Sequence, residues 1–208
     1  MTEAHLYAEK QAILAAALPA VPFDGWSAKT LREATAATGF DASMGLRAFP
    51  GGAIDLLSFY MAEADRRMLE NLAGADFAAL KVRERIAKAI RVRLEAEAGN
   101  KEAIRKALAV LALPIHAGRA LRSLYRTVDA IWYAAGDTAT DFNFYSKRAL
   151  LAGVYSTTLL RWLDDKSPGH AATWAFLDRR INDVMRIQKL RQRLGDLASG
   201  WPRPFRRA

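Results

Sequence analysis

Apolar residues recur along most of this chain at spacings of three and four, the period of a helix with one buried face. No segment shows the alternation of period two that is typical of strands. The pattern therefore predicts an all-α fold. The predicted helices cover residues 5–18, 28–38, a short stretch ending near 48, and then 53–72, 77–98, 101–111, 118–135, 142–163 and 171–194.

Local signals place several helix ends. Pro19 and Pro22 end the first predicted helix, because proline lacks the N–H that a helix interior needs. Ser27 is a suitable N-cap for the second helix, and either Asp41 or Ser43 caps the short third one.

The segment 129–163 combines aromatic residues with carboxylates. Its aromatic residues are Trp132, Tyr133, Phe142, Phe144, Tyr145, Tyr155 and Trp162. A turn rich in Gly, Asp and Thr separates its two helical stretches. A core needs aromatic residues but not the adjacent Asp129, Asp137 and Asp141, so the mixture favours a recognition surface. The alternative is that Trp132 and Tyr145 belong to the core and that Asp141 caps the next helix.

The net charge of +9 is concentrated in two segments. Residues 179–208 contain nine Lys and Arg against two Asp, and residues 81–106 contain nine against four Glu. The first segment includes a basic amphipathic tail, which suits an anionic membrane surface. The alternative is that the tail packs on its own domain or on a dimer mate. The membrane-binding candidates are Val184, Ile187, Leu190, Arg191, Arg193, Leu194, Leu197 and Trp201.

Residues that carry catalysis or bind metals are sparse. The chain has no cysteine, which excludes thiol catalysis and suits a reducing compartment. His5, His116 and His170 are scattered without a zinc-binding spacing. The first residues carry charge where a signal peptide needs an apolar run, and the sequence has no run of about 18 apolar residues that could span a membrane. We expect a soluble, cytoplasmic protein that is not an enzyme and needs no metal or cofactor.

Several features of the first sixty residues form one sequence pattern, called here the N-terminal frame. They are the helix Ile13–Ala17, Gly25-Trp26, the spacing of Leu31, Ala34, Ala37 and Gly39, and Phe49-Pro50. This frame resembles the N-terminal three helices of the TetR family of repressors, whose second and third helices form a DNA-binding helix-turn-helix.

The charge of this segment argues against DNA binding. Residues 24–60 carry a net charge of −1, whereas a surface that displaces counterions from DNA is basic. Ala42 and Leu46 stand where the TetR family usually has Lys and Tyr, and Gly52 stands where it has a phosphate-contacting Lys. We expect a repressor-like scaffold without sequence-specific DNA binding. A ligand-responsive transcriptional regulator is the alternative.

A longer pattern runs through residues 110–186. Its pieces are Ala112-Leu113-Pro114, Trp132 with Ala135-Gly136-Asp137, Thr140-Asp141-Phe142-Asn143, Tyr145 with Lys147-Arg148, Asp165 through Ser167-Pro168, and Thr173-Trp174 with Phe176-Leu177. This pattern resembles the ubiquinone-biosynthesis accessory proteins of the Coq-nine family. That family has a TetR-like fold, which accounts for the first resemblance without DNA binding.

The Coq-nine resemblance implies a function. Members of that family are described as lipid-binding proteins without enzymatic activity of their own. They present ubiquinone intermediates to membrane enzymes, chiefly the demethoxyubiquinone hydroxylase. We therefore expect this chain to bind an isoprenoid quinone or another lipid and to dock on that hydroxylase. The expected location is the inner face of the cytoplasmic membrane (the mitochondrial matrix face in eukaryotic relatives), and the fold relatives imply a homodimer.

The same resemblance assigns residues to sites. It places the partner-binding surface on Asp129, Trp132, Asp141, Phe144 and Tyr145. The family usually has Trp at the position of Phe144, so the apolar anchor is kept while the indole N–H is lost. A lipid site would be an apolar cavity between the long C-terminal helices. Its candidate residues, each of which also fits an ordinary packed core, are Leu111, Leu113, Leu121, Leu124, Tyr125, Val128, Leu151, Val154, Tyr155, Leu159, Trp174 and Leu177.

Together these patterns predict three parts. Residues 1–50 form a TetR-like three-helix unit, residues 51–180 form a Coq-nine-like helical domain, and residues 181–208 form the basic amphipathic tail.

Overall fold

The computed structural model describes residues 6–73, 76–136 and 142–184, and all regular structure in these ranges is helical. The helices are α1 Tyr7–Ala17, α2 Val21–Asp24, α3 Ala28–Ala37, α4 Ala42–Ala48, α5 Ala53–Leu72, α6 Val82–Glu95, α7 Lys101–Leu111, α8 Ala117–Ala134, α9 Phe142–Asp164 and α10, residues 171–184. Short 3-10 turns occur at Asp76–Ala79, Ala98–Asn100, Pro114–His116 and Pro168–His170. The predicted all-α fold is confirmed.

The N-terminal helices begin where their caps predict. The Ser27 hydroxyl accepts the N–H of Thr30 at 3.1 Å, which satisfies a backbone donor at the start of α3. Asp41, and not Ser43, caps α4, since its carboxylate accepts the Ser43 N–H at 2.8 Å. Gly52 precedes α5 with φ of 73°, a conformation that a residue with a Cβ rarely adopts.

The prediction of one helix over residues 77–98 is wrong. The structure has the turn Asp76–Ala79 followed by α6, which begins at Val82. The start of α6 is fixed by side chains: Glu84 accepts the N–H of Lys81 at 3.0 Å, and Arg85 Nε donates to the carbonyl of Leu80 at 2.8 Å. No glycine or proline marks this break, so the sequence pattern did not indicate it.

Helix α5 lies at the centre of the molecule and packs against α6 and α8 on one side and against α1 and α3 on the other. Leu56, Leu57, Tyr60 and Met68 on α5 are fully buried. Burying each such side chain contributes about 1.5–3 kcal/mol. The three-helix unit shares this core with the rest of the chain, because the indole Nε1 of Trp26 donates to the carbonyl of Ala103 in α7 at 3.0 Å.

The core contains a buried group of charges on α5, α6 and α8. Asp65 pairs with Arg93 Nε at 2.9 Å and with Arg126 Nε at 3.1 Å, and the Thr127 hydroxyl also donates to it. Asp65 and Arg93 are both almost completely buried. Three partners satisfy the carboxylate of Asp65, as a buried charge requires.

A second buried carboxylate, that of Glu97, lies between α6 and α7. It accepts the phenol O–H of Tyr60 at 2.5 Å and also pairs with Arg67. Burial, reinforced by the charge of Glu97 and by the hydrogen bond to it, raises the pKa of Tyr60, so the phenol stays protonated and donates.

The turn between α9 and α10 is organised by Asp165. Its carboxylate accepts the hydroxyl of Thr173 at 2.5 Å and the backbone N–H of Ser167 at 2.8 Å. Hydrogen bonds from Thr173 and Ser167 hold the pKa of Asp165 well below its usual value. This carboxylate therefore ties the end of α9 to the first turn of α10.

Candidate lipid cavity and partner surface

An apolar cavity of about 350 Å³ lies between α5, α7, α8 and α9 and is called here the α7–α9 cavity. Its wall consists mainly of aliphatic side chains from one face of each helix. The lining residues are Met61, Leu108, Leu111, Ala112, Ala120, Ser123, Leu124, Thr127, Tyr155, Ser156, Leu159 and Leu160. Because the wall is mainly apolar, this cavity suits a hydrophobic ligand.

Two hydroxyl groups on α8 lie in this wall. The Thr127 hydroxyl is engaged, because it donates to Asp65 at 2.9 Å. The Ser123 hydroxyl is buried and has no hydrogen-bond partner among the described residues. Leaving a buried hydroxyl unsatisfied costs about 1–3 kcal/mol.

The predicted lipid residues divide into three groups. Those in the wall of the α7–α9 cavity are Leu111, Leu124, Tyr155 and Leu159. Those elsewhere in the interior are Val128, Leu151, Val154 and Leu177, while Trp174 is half-buried beside Arg91. Those on the surface are Leu113, Leu121 and Tyr125. Leu121 and Tyr125 point outward because α8 turns its Ser123–Thr127–Val128 face toward the bundle, whereas Leu113 lies in the connection before α8.

A second cavity of about 250 Å³, called here the α10 cavity, lies between α6, α8, α9 and α10. Its lining residues are Val82, Arg83, Ile86, Trp132, Gly136, Lys147, Leu151, Val154, Ile181 and Val184. Trp132 is buried in its wall, with Lys147 Nζ 5.7 Å from the centre of the ring, and the indole N–H has no partner among the described residues. Val184, the first membrane-binding candidate, also lines this cavity.

The predicted partner-binding surface is only partly described. Tyr145 is 69% exposed near the start of α9. Asp129 forms an ion pair with Arg148, whose Nε and Nη2 atoms lie 2.8 and 2.6 Å from its Oδ1. Asp141 and the side chain of Phe144 lie outside the described residues.

Sequence reasoning did not select Tyr133 as a site residue. Tyr133 is exposed on α8, beside the buried Trp132 and one residue before the end of the helix. The helical spacing could have found it, because Val128, Ile131, Trp132 and Ala135 define the buried face and Tyr133 falls outside it.

Most of the predicted basic tail lies outside the described residues. This applies to Ile187, Leu190, Arg191, Arg193, Leu194, Leu197 and Trp201. Among the described residues, no single helix is both long and apolar enough to cross a membrane. In the same ranges, no group of three or more His, Cys, Asp or Glu residues could hold a metal ion.

Two cations of the helix-turn-helix-like unit, α3 and α4 with their flanks, form local ion pairs, while Arg32 on α3 is exposed. Lys29 Nζ lies 3.0 Å from Asp24, and Arg47 Nη2 lies 3.2 Å from Asp41. Leu46, which stands where the TetR family usually has Tyr, is exposed. Such a surface offers few cations for phosphate groups.

The arrangement of helices is a TetR-like fold. The crystal structure of the TetR transcriptional regulator from Nitrosomonas europaea matches 84% of this chain and 97% of its own, with a TM-score of 0.69 and 24% sequence identity. This likeness shows the fold, and it confirms the TetR-like scaffold that the N-terminal frame predicts.

The sequence comparisons point to one particular family. The COQ9 family model matches residues 117–188. The ubiquinone biosynthesis protein COQ9, mitochondrial, of Rattus norvegicus is 35% identical over 184 residues, which are 84% of this chain and 58% of that protein. The proteins of the same name from Drosophila melanogaster and Homo sapiens are 32% and 33% identical, over 99% and 84% of this chain and 64% and 57% of theirs. The chain spans about three fifths of the length of these relatives. These matches confirm the resemblance to the Coq-nine (COQ9) family.

Proposed function

We propose that this protein is a non-enzymatic accessory factor of ubiquinone biosynthesis, which binds an isoprenoid quinone intermediate in the α7–α9 cavity. The observation that carries the proposal is the cavity itself: a mainly apolar wall with one buried hydroxyl, that of Ser123, unpartnered within the described residues. The similarity to ubiquinone biosynthesis proteins named COQ9 supports the pathway.

The cavity sets limits on the mode of binding. Its volume of about 350 Å³ falls at the lower end of the range of ligand pockets, roughly 300–1,000 Å³. Such a space suits a ring and the first part of a chain, and not a whole long isoprenoid. We infer that the Ser123 hydroxyl donates to a carbonyl or alkoxy oxygen of the ring, while the aliphatic wall contacts the prenyl chain.

Docking completes the proposed role. The partner-binding surface around Tyr145 would contact the demethoxyubiquinone hydroxylase, and the basic tail would hold the protein at the inner membrane face. The exposed Tyr133 and Tyr145 support a protein contact, because large aromatic side chains are enriched at interface hot spots. A homodimer would be consistent with the fold relatives.

Filling the cavity should remove the lipid. The Leu124→Trp variant places a larger side chain in the wall, so we expect the amount of co-purified quinone or isoprenoid lipid to fall at least about tenfold. The matched control is Leu46→Trp, which enlarges an exposed leucine of α4 outside the cavity wall. Native mass spectrometry of gently purified protein, combined with lipid identification, measures both. Wild-type protein without any lipid, or equal lipid in both variants, would contradict the proposal.

The hydroxyl of Ser123 should contribute ring selectivity. The Ser123→Ala variant removes one hydrogen bond of about 0.5–1.5 kcal/mol, so we expect quinone binding to weaken roughly two- to tenfold. A polyprenyl hydrocarbon, which has no oxygen to accept the bond, should bind both proteins equally. Fluorescence competition titrations with the two ligands test this, and equal losses for both ligands would assign Ser123 to packing alone.

A ligand-responsive transcriptional regulator is the second candidate, and the TetR-like fold is what favours it. That function predicts duplex binding that falls steeply with salt and that is lost on mutation of residues 28–48. The local pairing of Lys29 and Arg47 argues against it. Gel-shift titration over a range of salt concentrations distinguishes the two functions.

A further inference from the structure

The connection between α7 and α8 and the first turns of α8 form an apolar corner, residues 112–122, called here the elbow. The helical segments on either side, Ala98–Leu111 and Pro114–Ala134, meet at an angle of 97°. Residues 112–115, 117 and 118 at this corner are exposed. They include the large aliphatic side chain of Ile115, which is 83% exposed, and Leu113 beside it.

The exposed apolar surface continues from the corner along α8. Leu121 and Tyr125 lie one turn apart on the outer face of the helix, and both are exposed. A single exposed leucine is normal on a soluble protein. Four large apolar side chains on one corner and the adjoining helix face form a patch, and such patches mark contact surfaces.

The charged residues of the sequence around the elbow are all basic. From Ala103 to Val128 the chain has five Lys and Arg residues and no Asp or Glu. Arg105, Arg119 and Arg126 form ion pairs with carboxylates of other helices. Lys106 and Arg122 are exposed on either side of the corner. Aliphatic tips with flanking cations suit an anionic bilayer, whose headgroups attract the cations while the tips enter the acyl region.

The elbow also borders the α7–α9 cavity. Leu111 and Ala112, at the end of α7, and Ala120, near the start of α8, belong to its wall. Ala112 is exposed as well, so the cavity reaches the surface beside the corner. A lipid that enters here would leave the bilayer without crossing water, which is costly for a long apolar chain.

We propose that the elbow inserts into anionic bilayers as a membrane contact separate from the basic tail, and that it is the side from which lipid reaches the cavity. The second half of this statement rests on the proposed function, whereas the first half does not. Insertion buries Leu113 and Ile115 among the acyl chains, and Lys106 and Arg122 stay at the headgroups.

Vesicle binding by full-length variants tests the contact. With phosphatidylcholine vesicles that contain phosphatidylglycerol, Ile115→Asp should reduce the bound fraction about tenfold or more, because it removes the apolar side chain that enters the acyl region and adds a negative charge beside anionic headgroups. Arg122→Glu should reduce it about fivefold, and this effect should disappear in high salt. The matched control is Phe23→Asp, which changes a side chain of equal exposure (85%) in the three-helix unit and should leave binding unchanged.

A second measurement reports insertion directly. Since the sequence has no cysteine, Ile115→Cys carries a single thiol for an environment-sensitive fluorophore. The label at position 115 should shift to the blue when vesicles are added, whereas a label on Phe23→Cys should not. No shift at position 115, or vesicle binding by Ile115→Asp equal to that of wild type, overturns the proposal.

Three further outcomes test this inference, and the last two separate it from the proposed function. If Ile115→Asp changes the oligomeric state of the protein and not its vesicle binding, the elbow is a protein interface and the inference is wrong. If the elbow variants lose vesicle binding while wild-type protein carries no lipid, the membrane contact stands and the carrier function fails. If wild-type protein carries lipid and the elbow variants bind vesicles as wild type does, the carrier function stands and the membrane contact fails.

Discussion

Replacing Asp65 with alanine should lower the free energy of unfolding by about 3–5 kcal/mol, the usual cost of removing one partner from a buried ion pair. The reason lies in what remains: Arg93 is 2% exposed, and it loses the carboxylate that lies 2.9 Å from its Nε. Arg126 and the Thr127 hydroxyl lose the same acceptor. Urea unfolding followed by circular dichroism measures the effect.

Two variants control this experiment. Glu70→Ala breaks an exposed ion pair with Arg66 on the same helix, and it should cost less than about 1 kcal/mol. The double variant Asp65→Ala, Arg93→Met removes both buried charges, and it should recover much of the lost stability. A loss below about 1 kcal/mol for Asp65→Ala alone would show that water reaches Arg93.

Replacing Tyr145 with aspartate should weaken binding to the demethoxyubiquinone hydroxylase about 30-fold or more, if the proposed function is correct. An exposed aromatic residue at the centre of an interface carries about 2 kcal/mol or more of binding free energy. Because the Tyr145 side chain is mostly exposed, the free energy of unfolding should hardly change. Surface plasmon resonance with purified hydroxylase and a urea titration measure the two quantities.

The comparison variant for docking is Phe23→Asp, which places the same charge on the three-helix unit far along the chain from α9. It should bind the hydroxylase as wild type does. Parallel loss of binding and stability in Tyr145→Asp would mean that the substitution disturbs the fold, and it would contradict a direct contact at Tyr145. Undiminished binding would remove Tyr145 from the contact surface.

Helix positions were predictable from the sequence where the signal is local. Ser27 and Asp41 cap α3 and α4 through bonds to residues two or three positions ahead, so the sequence contains the whole signal. The start of α6 was missed because Glu84 and Arg85 fix it through their side chains, and these residues are also common inside helices.

The candidate sites were harder to predict because they depend on how helices face one another. Helical spacing identifies an apolar face but does not reveal whether it meets another helix or solvent, which is why Leu121 was placed in the lipid site although it lies on the surface. The pairing of Asp129 with Arg148 spans two helices, and no sequence spacing indicates it. The Ser123 hydroxyl was overlooked for a different reason, since a serine on α8 carries no signal that it will face an apolar wall.

The hydrogen bond from Trp26 to Ala103 decides whether the N-terminal helices can be separated from the rest of the chain. The indole also packs on the ring of Tyr60 in α5, with ring centres 5.1 Å apart. Trp26 therefore connects the three-helix unit to both α5 and α7. Excising residues 1–50 would leave the Ala103 carbonyl without this donor and expose the face of α5 that Trp26 covers. In the part of the chain that the structure describes, the N-terminal helices are therefore not a separate module that could be removed or exchanged. The N-terminal helices instead help to hold α7 in place.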